Sequence, residues 1–598
     1  MITRLSGVTC LILLVALATA SCAHRPSYGG RASAPDILTF HRDAGRSGWD
    51  ASEASLNSGR VADGTFGRLW ASAQFDSSDG VPPRLYASPL YLDRISIAYG
   101  KNPSRPFSVV IAATSTGFVY AVNAFDAAGV AAGTILWRKQ LGTPCKGGFD
   151  GITMGVLSTP VIDGVRKRLY VANCEDQYVW RVYALDISSG TVVSGWPVEI
   201  DRPALVAKNT NIADAGVAAG EGADPKRGNQ VLRAQRGALN LSPDGALLYV
   251  TFGESSPGWL AALDTQTPKL LSSFSGTASM LTRAGGIWGA AGVAVDDRGN
   301  VFVATGAAFN GLVVEPHNWA QSILQFSSDA GHLTLRGSYT PFNYCEATNA
   351  DIDLGSGGVT LLPNLDPSST GTPRLLAVGG KQGNVYLLDR TRLPGLLDRR
   401  QPCSTDSSGD ASLLAPEAQP QFGKPGPLNV FGPYTEKDAA IDRARSRSVP
   451  AYFRDGNGNH YLFVTGTTRR QEGSAVAVPP GLARLRVITE PGKPAYLRVD
   501  QLETTVTMEN PGSPVVTSNG SKGAIVWVLD ENALRSAKLI GPNAPHPVLY
   551  AFDALTLKLL WRSADGELET SGKYNEPATA RGTVFVGTDR VVAFGSRH

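Results

Sequence analysis

The chain repeats one strand phrase, and that repetition constrains its fold more than any other property. An aromatic or aliphatic residue, small and apolar residues and a closing Asp or Asn recur at five places. They are Val119-Tyr120-Ala121-Val122-Asn123, Val182-Tyr183-Ala184-Leu185-Asp186, Leu260-Ala261-Ala262-Leu263-Asp264, Val385-Tyr386-Leu387-Leu388-Asp389 and Leu549-Tyr550-Ala551-Phe552-Asp553. A second apolar, β-branched run accompanies the phrase, as at Leu169-Tyr170-Val171-Ala172, Leu248-Tyr249-Val250-Thr251 and Val584-Phe585-Val586-Gly587. A strand buried on both faces has this composition. A strand–turn–strand unit of this size cannot bury its own faces and must stack on its neighbours. Radial stacking predicts a β-propeller, with its chemistry at one end of a central channel.

Eight inner strands are expected. They begin near Tyr86-Ala87-Ser88-Pro89-Leu90, Leu157-Ser158-Thr159-Pro160-Val161, Arg236-Gly237-Ala238-Leu239, Gly286-Ile287-Trp288-Gly289, Leu354-Gly355-Ser356-Gly357-Gly358-Val359, Ser448-Val449-Pro450-Ala451, Gly512-Ser513-Pro514-Val515 and Glu576-Pro577-Ala578. Small residues suit a crowded axis, and Pro is tolerated at a strand's start because no ladder donor is lost there. Trp70, Trp137, Trp196 and Trp561 fall near outer-strand positions and are expected to wedge between blades. The last repeat ends at Val591-Val592-Ala593-Phe594 without an outer strand, and the missing piece stands near the start, at Leu69-Trp70-Ala71-Ser72. The expectation is an all-β, eight-bladed propeller of four-stranded antiparallel blades. Its last blade joins one N-terminal strand to three C-terminal ones, which removes a free sheet edge. The propeller occupies residues 36–598. The stretch from Thr391 to Ser448, rich in Pro, Gly, Ser and charge, is expected to be a long insertion: a lid or partner surface, or a solvated loop.

The N-terminus is expected to lie outside this body. Arg4, an apolar run from Val8 to Ala20 and the small residues Ala18-Thr19-Ala20 make residues 1–22 a signal peptide. Ala20-Ser21 before Cys22 resembles a bacterial lipoprotein signal, with Thr19 where Leu is usual, so Cys22 is a candidate for lipidation. Residues 23–35 read as a flexible linker. The chain is therefore expected to be exported, either periplasmic or lipid-anchored to the outer membrane. Four further cysteines, Cys145, Cys174, Cys345 and Cys403, favour disulfides in an exported protein. Three pairings are open, and Cys145–Cys174 with Cys345–Cys403 is preferred because each pair flanks one blade or one insertion. With 55 basic and 52 acidic residues and no long basic run, nucleic-acid binding has no support. No His-x-x-x-His zinc spacing, Gly-x-Ser-x-Gly elbow or P-loop is present.

The repeat resembles that of the pyrroloquinoline quinone (PQQ) propellers, the quinoprotein alcohol dehydrogenases, over almost the whole of residues 36–598. It is closest to an uncharacterised exported branch with the opening Phe40-His41-Arg42-Asp43-Ala44-Gly45-Arg46-Ser47-Gly48. The resemblance implies a quinone clamped on a Trp, a Ca²⁺ ion, a basic contact and a carboxylate that accepts a proton. Gly285-Gly286-Ile287-Trp288 is similar to the clamp strand, which makes Trp288 the stacking face. Gly380-Lys381-Gln382-Gly383-Asn384-Val385-Tyr386-Leu387-Leu388-Asp389-Arg390 is similar to the strand of the basic contact, here Lys381, whose bland alternative is a pair with Asp353. Asp353, in Asp351-Ile352-Asp353-Leu354-Gly355, resembles the proton acceptor, with Asp351 assisting or binding an ion. Glu254 stands near the place of a Ca²⁺ ligand.

Two departures oppose this reading. Ala307 stands where a ligating Asn is expected, and a methyl group cannot coordinate a hard cation. The adjacent-Cys disulfide of many relatives is also absent. No Cys-x-x-Cys-His is present, so no haem is covalently attached. Two functions follow. One is oxidation of a small-molecule alcohol or sugar with PQQ, Ca²⁺ and a separate electron acceptor. The other is a cofactor-free scaffold that binds an envelope protein or a glycan. Fold alone does not choose between them.

Overall fold

The computed structural model describes residues 36–597 apart from 102, 147–150, 176–178, 212–231, 233, 254–256, 278–284, 308–315, 405–428, 432–445, 468–480 and 534–537. Cys22 and Glu254 lie outside the described residues. Eight sheets form the body, seven of four strands and one of five. The first blade runs Leu90–Ile97, Arg105–Ala113, Phe118–Asn123 and Ile135–Gln140, in sequence order from the axis outwards. The next six repeat this order, and the pairings among these four strands are antiparallel. The second and third strands are buried almost throughout, which is why they read as continuous apolar runs.

The eighth blade closes the ring. Ala578–Ala580, Thr583–Gly587 and Val591–Ser596 come from the C-terminal end, and Phe66–Ala71 is the fourth, outer strand. Trp70 pairs with Ala593 and Ala71 with Val592, and the Ser72 amide donates to the Val591 carbonyl at 2.9 Å. Trp561 and Trp137 wedge between blades as their positions predict. Trp561 meets Phe66 edge-on at 5.0 Å and Phe594 at 5.4 Å, both in the next blade. Trp137 donates from Nε1 to the Ile187 carbonyl of the second blade.

Proline marks where inner strands begin. Pro89, Pro160, Pro450, Pro514 and Pro577 each stand one residue before an inner strand, so none removes a ladder hydrogen bond. The small-residue stretches predicted as strand starts mostly precede the strands instead. Gly286–Gly289, for example, lies ahead of Ala294–Val295.

Two features depart from the sequence reading. The stretch 391–448 contains the outer strand of the fifth blade, Asn429–Phe431, which pairs with Val385–Leu387. Three residues carry too little alternation to mark a strand. Trp49–Asp50 also adds a fifth, parallel strand inside the seventh blade, against Val516–Thr517.

That fifth strand ends a segment that crosses one end of the channel and reaches every blade. Ile37 bridges Tyr91 of the first blade. The carbonyls of Leu38, Ala44, Gly45, Ser47 and Gly48 accept the amides of Ile162, Val295, Leu361, Tyr452 and Val516 at 2.7–2.8 Å, in the second, fourth, fifth, sixth and seventh blades. Asn240 of the third blade donates to the Ala44 carbonyl at 2.9 Å. Glu576, at the entry to the eighth, accepts both the His41 amide and faces His41 Nδ1, each at 2.6 Å. Arg46 is fully buried and caps carbonyls of Phe40, Leu239 and Val293 at 2.8–3.0 Å. Burial pushes its guanidinium down to about 9. Gly48 has φ +66, and a Cβ there would strike the His41 ring. This packing explains why the opening motif mixes small residues with a buried histidine and a buried arginine.

Candidate functional site

Three residues chosen from the sequence converge on the channel wall from separate stretches of chain. Asp353 directs its carboxylate across to the fourth blade, where Oδ1 accepts the Ala307 amide at 2.6 Å. Its Oδ2 lies 2.6 Å from Lys381 Nζ. The Lys381 ammonium also reaches the Asp351 carbonyl at 3.0 Å and Asp351 Oδ1 at 3.3 Å. It stands 5.4 Å from the Trp288 ring centroid, over the ring. Asp353 precedes the short 3₁₀ turn Leu354–Ser356 without capping it, so its carboxylate is committed to these side-chain and cross-blade contacts. Gly306 makes the approach feasible: a Cβ there would lie 2.7 Å from Asp353 Oδ1 and 3.0 Å from Trp288 Nε1.

Local hydrogen bonds hold this group in place. The Lys381 amide donates to the Asp353 carbonyl at 3.1 Å. Gln321 receives the Leu354 amide at 2.7 Å and donates to the Ile352 carbonyl at 2.8 Å, gripping the backbone on both sides of Asp353. Asp351 adopts φ +56, a conformation that Asp tolerates better than most residues. The pairing with Asp353, the bland alternative for Lys381, is therefore what the molecule adopts.

Beside this group lies a small cavity of about 10 Å³, room for about one water, lined by Phe40, Tyr86, Arg236, Trp288, Lys573 and Tyr574. Phe40 belongs to the crossing segment and lines one side of it. The Arg236 guanidinium carbon stands over three rings, at 5.3 Å from Tyr86, 5.7 Å from Trp288 and 5.1 Å from Tyr574. Arg447 lies over Tyr574 at 5.3 Å. Such contacts hold a cation against an apolar wall. Next to Lys573, Glu531 is buried, and desolvation raises its carboxyl well above the usual range, Asp530 adding to the effect and Lys573 opposing it. By sequence, Arg236, Arg447, Lys573 and Tyr574 open the third, sixth and last blades, where they either face the channel or serve as ordinary strand-end polar residues. Their meeting has no local signal, because Arg236 and Tyr574 belong to different repeats.

The site answers differently for the two groups that the resemblance implies. A planar aromatic fits the chemistry of the cavity, which offers the Trp288 face, two tyrosines and cationic side chains. Arg236 and Lys381 already stand over Trp288, so a planar ligand stacked there has to displace a head group. Lys381 is tethered there by oxygens of Asp351 and Asp353. A divalent cation does not fit. Ca²⁺ takes six to eight oxygen ligands. Both Asp353 oxygens are engaged by the chain's own donors, and Ala307 presents a methyl group. Among the described residues no group of three or more His, Cys, Asp or Glu is placed to hold a metal.

Cys145 is bonded to Cys174, and Cys345 to Cys403, with Cα separations of 5.5 and 6.0 Å.

No family model matches the chain, and no curated protein matches it. Solved structures do. A quinohemoprotein alcohol dehydrogenase from Pseudomonas putida is 13% identical, with TM-score 0.52 over 94% of this chain and 80% of that one. A europium-containing methanol dehydrogenase is 14% identical, with TM-score 0.51 over 92% of this chain and 90% of that one. At such identities the likeness shows a shared fold: this chain is a propeller built like those of quinoprotein dehydrogenases.

Proposed function

We propose that the channel of this propeller is a quinoprotein-type site, in which a planar quinone such as PQQ stacks on Trp288 and a small alcohol or sugar is oxidised beside it. The observation that carries this reading is the convergence of Trp288, Lys381 and Asp353 on one wall. The likeness in fold to alcohol and methanol dehydrogenases supports it. Trp288 and Tyr574 would hold the aromatic rings, and Arg236 and Lys573 would face its acidic substituents. The quinone, when bound, supplies the two-electron acceptor. Asp353 Oδ2 would take the hydroxyl proton as the substrate carbon loses its hydride, and Lys381 would stabilise the oxygen on which charge develops. Tyr86 and Phe40 would exclude water from the cavity floor. With no haem attachment motif, the electrons would leave to a separate acceptor. No step is assigned to a divalent ion.

A second reading, a cofactor-free binding propeller, is favoured by the full engagement of the Asp353 oxygens. One titration separates the two. PQQ added to the purified protein should quench tryptophan emission saturably, and Trp288→Phe should remove most of that quenching. Arg236→Ala should weaken the binding, because the guanidinium would face the acidic substituents of the quinone. Absence of saturable quenching up to high micromolar PQQ would discard the quinone reading in favour of the scaffold.

A further inference from the structure

The Lys381 ammonium sits in a cation site built by its own chain. An ammonium has three donors. Three oxygens stand within reach: Asp353 Oδ2 at 2.6 Å, the Asp351 carbonyl at 3.0 Å and Asp351 Oδ1 at 3.3 Å. The Trp288 ring supplies a fourth, electron-rich side at 5.4 Å. The left-handed turn at Asp351, φ +56, brings its carbonyl and its carboxylate to the same ammonium. The Lys381 side chain is 5% exposed, and its backbone amide is bonded to the Asp353 carbonyl, so the whole residue is clamped. Lysine is a compact point charge, closer to a metal ion in this respect than the broad guanidinium of arginine.

We propose that Lys381 is the resident cation of this channel, occupying the carboxylate oxygens that would otherwise bind a metal, and that the site operates without a divalent ion. The inference concerns the wall on which the proposed function rests, but it does not depend on the identity of the planar ligand. Two carboxylates this close favour a cation between them, and removing one would leave them repelling each other. The chain meets that requirement internally. The methyl group at Ala307 then has a reason: its neighbouring amide binds Asp353 Oδ1, and no extra ligand is needed there. In chemistry at this wall, the fixed ammonium would supply the positive charge that stabilises a developing oxyanion.

The probe is Tb³⁺, added to the full-length protein after dialysis against chelator, with excitation of tryptophan and detection of sensitised terbium emission. The wild-type protein should show no saturable emission that Trp288→Phe abolishes. Lys381→Met should gain saturable emission, because Asp353 Oδ2 and Asp351 Oδ1 lose the ammonium, and adding Asp353→Asn should remove the gain. Saturable, Trp288-dependent emission from the wild type would overturn the proposal, and so would a folded Lys381→Met variant without any gain. The wild-type arm holds even where the variant does not fold. Titration of PQQ in EDTA separates the two readings. Binding in EDTA agrees with both, and binding lost in EDTA but restored by Ca²⁺ sinks the metal-free site alone. Absence of binding under both conditions, with the terbium results as expected, sinks only the quinone reading.

Discussion

At the scale of single residues, the channel wall depends on buried charge held by short-range partners. Asp530 is a clear case away from Lys381. It accepts the amides of Glu509, Asn510 and Asn532 at 2.8–3.1 Å, yet complete burial raises its carboxyl to about 6. A carboxyl raised in the folded state binds its proton more tightly there than in the unfolded chain, so stability falls as pH rises between about 4 and about 6. From the ordinary value of 3.8, that shift amounts to roughly 3 kcal/mol. Asp530→Asn cannot titrate. Urea midpoints of the wild type should decline relative to the variant across this window and run parallel above it. Parallel curves from pH 4 to 7 would show that Asp530 is ionised without penalty. Single residues were also the most legible part of the site. Trp288, Asp353 and Lys381 are picked out by the resemblance of their motifs to the quinoprotein repeat, and the structure brings the three together. Arg236 and Tyr574 could not be paired from sequence, because no spacing within one repeat encodes a contact across the axis.

At the scale of elements, the repeats read well and the exceptions share a cause. Inner strands could be located from Pro89, Pro160, Pro450, Pro514 and Pro577, because Pro is excluded from the ladder that follows. The outer strand Asn429–Phe431 and the parallel strand Trp49–Asp50 escaped notice because two or three residues have no period to detect. The crossing segment escaped for a different reason. Its hydrogen bonds reach eight separate blades, seven through its carbonyls and the eighth through the His41 amide, so nothing in its own residues looks like a strand. Arg46 is its anchor, with no exposed surface and donors to carbonyls of Phe40, Leu239 and Val293. Arg46→Met keeps the apolar stem but orphans these acceptors, at about 1–3 kcal/mol for each buried group left unpaired. Hydrogen exchange should then quicken at the amides of Ile162, Val295, Leu361, Tyr452 and Val516, which donate to the segment. Amides inside the blades, such as those of Val250 and Val526, should keep their protection. Uniform acceleration across the blades would mean that the segment is no separate unit.

At the scale of the whole molecule, the ring makes a site out of distant residues. Phe40 and Tyr574 line one cavity only because the eight sheets return to their starting point. Closure by the two ends of the polypeptide also covers Val591–Ser596, the third strand of the eighth blade, with Phe66–Ala71, so that this blade has four strands like its neighbours. This closure was legible in the sequence, since the last repeat lacked an outer strand and Leu69-Trp70-Ala71-Ser72 supplied one. The direct test is a cross-link between Ala71 and Val592, which face each other across the joint. The account predicts that an Ala71→Cys/Val592→Cys variant forms an intramolecular disulfide under mild oxidation, in monomeric protein, and unfolds at higher temperature than its reduced form. Two thiols that remain free, or that link only between molecules, would contradict the closed ring and with it the shared channel.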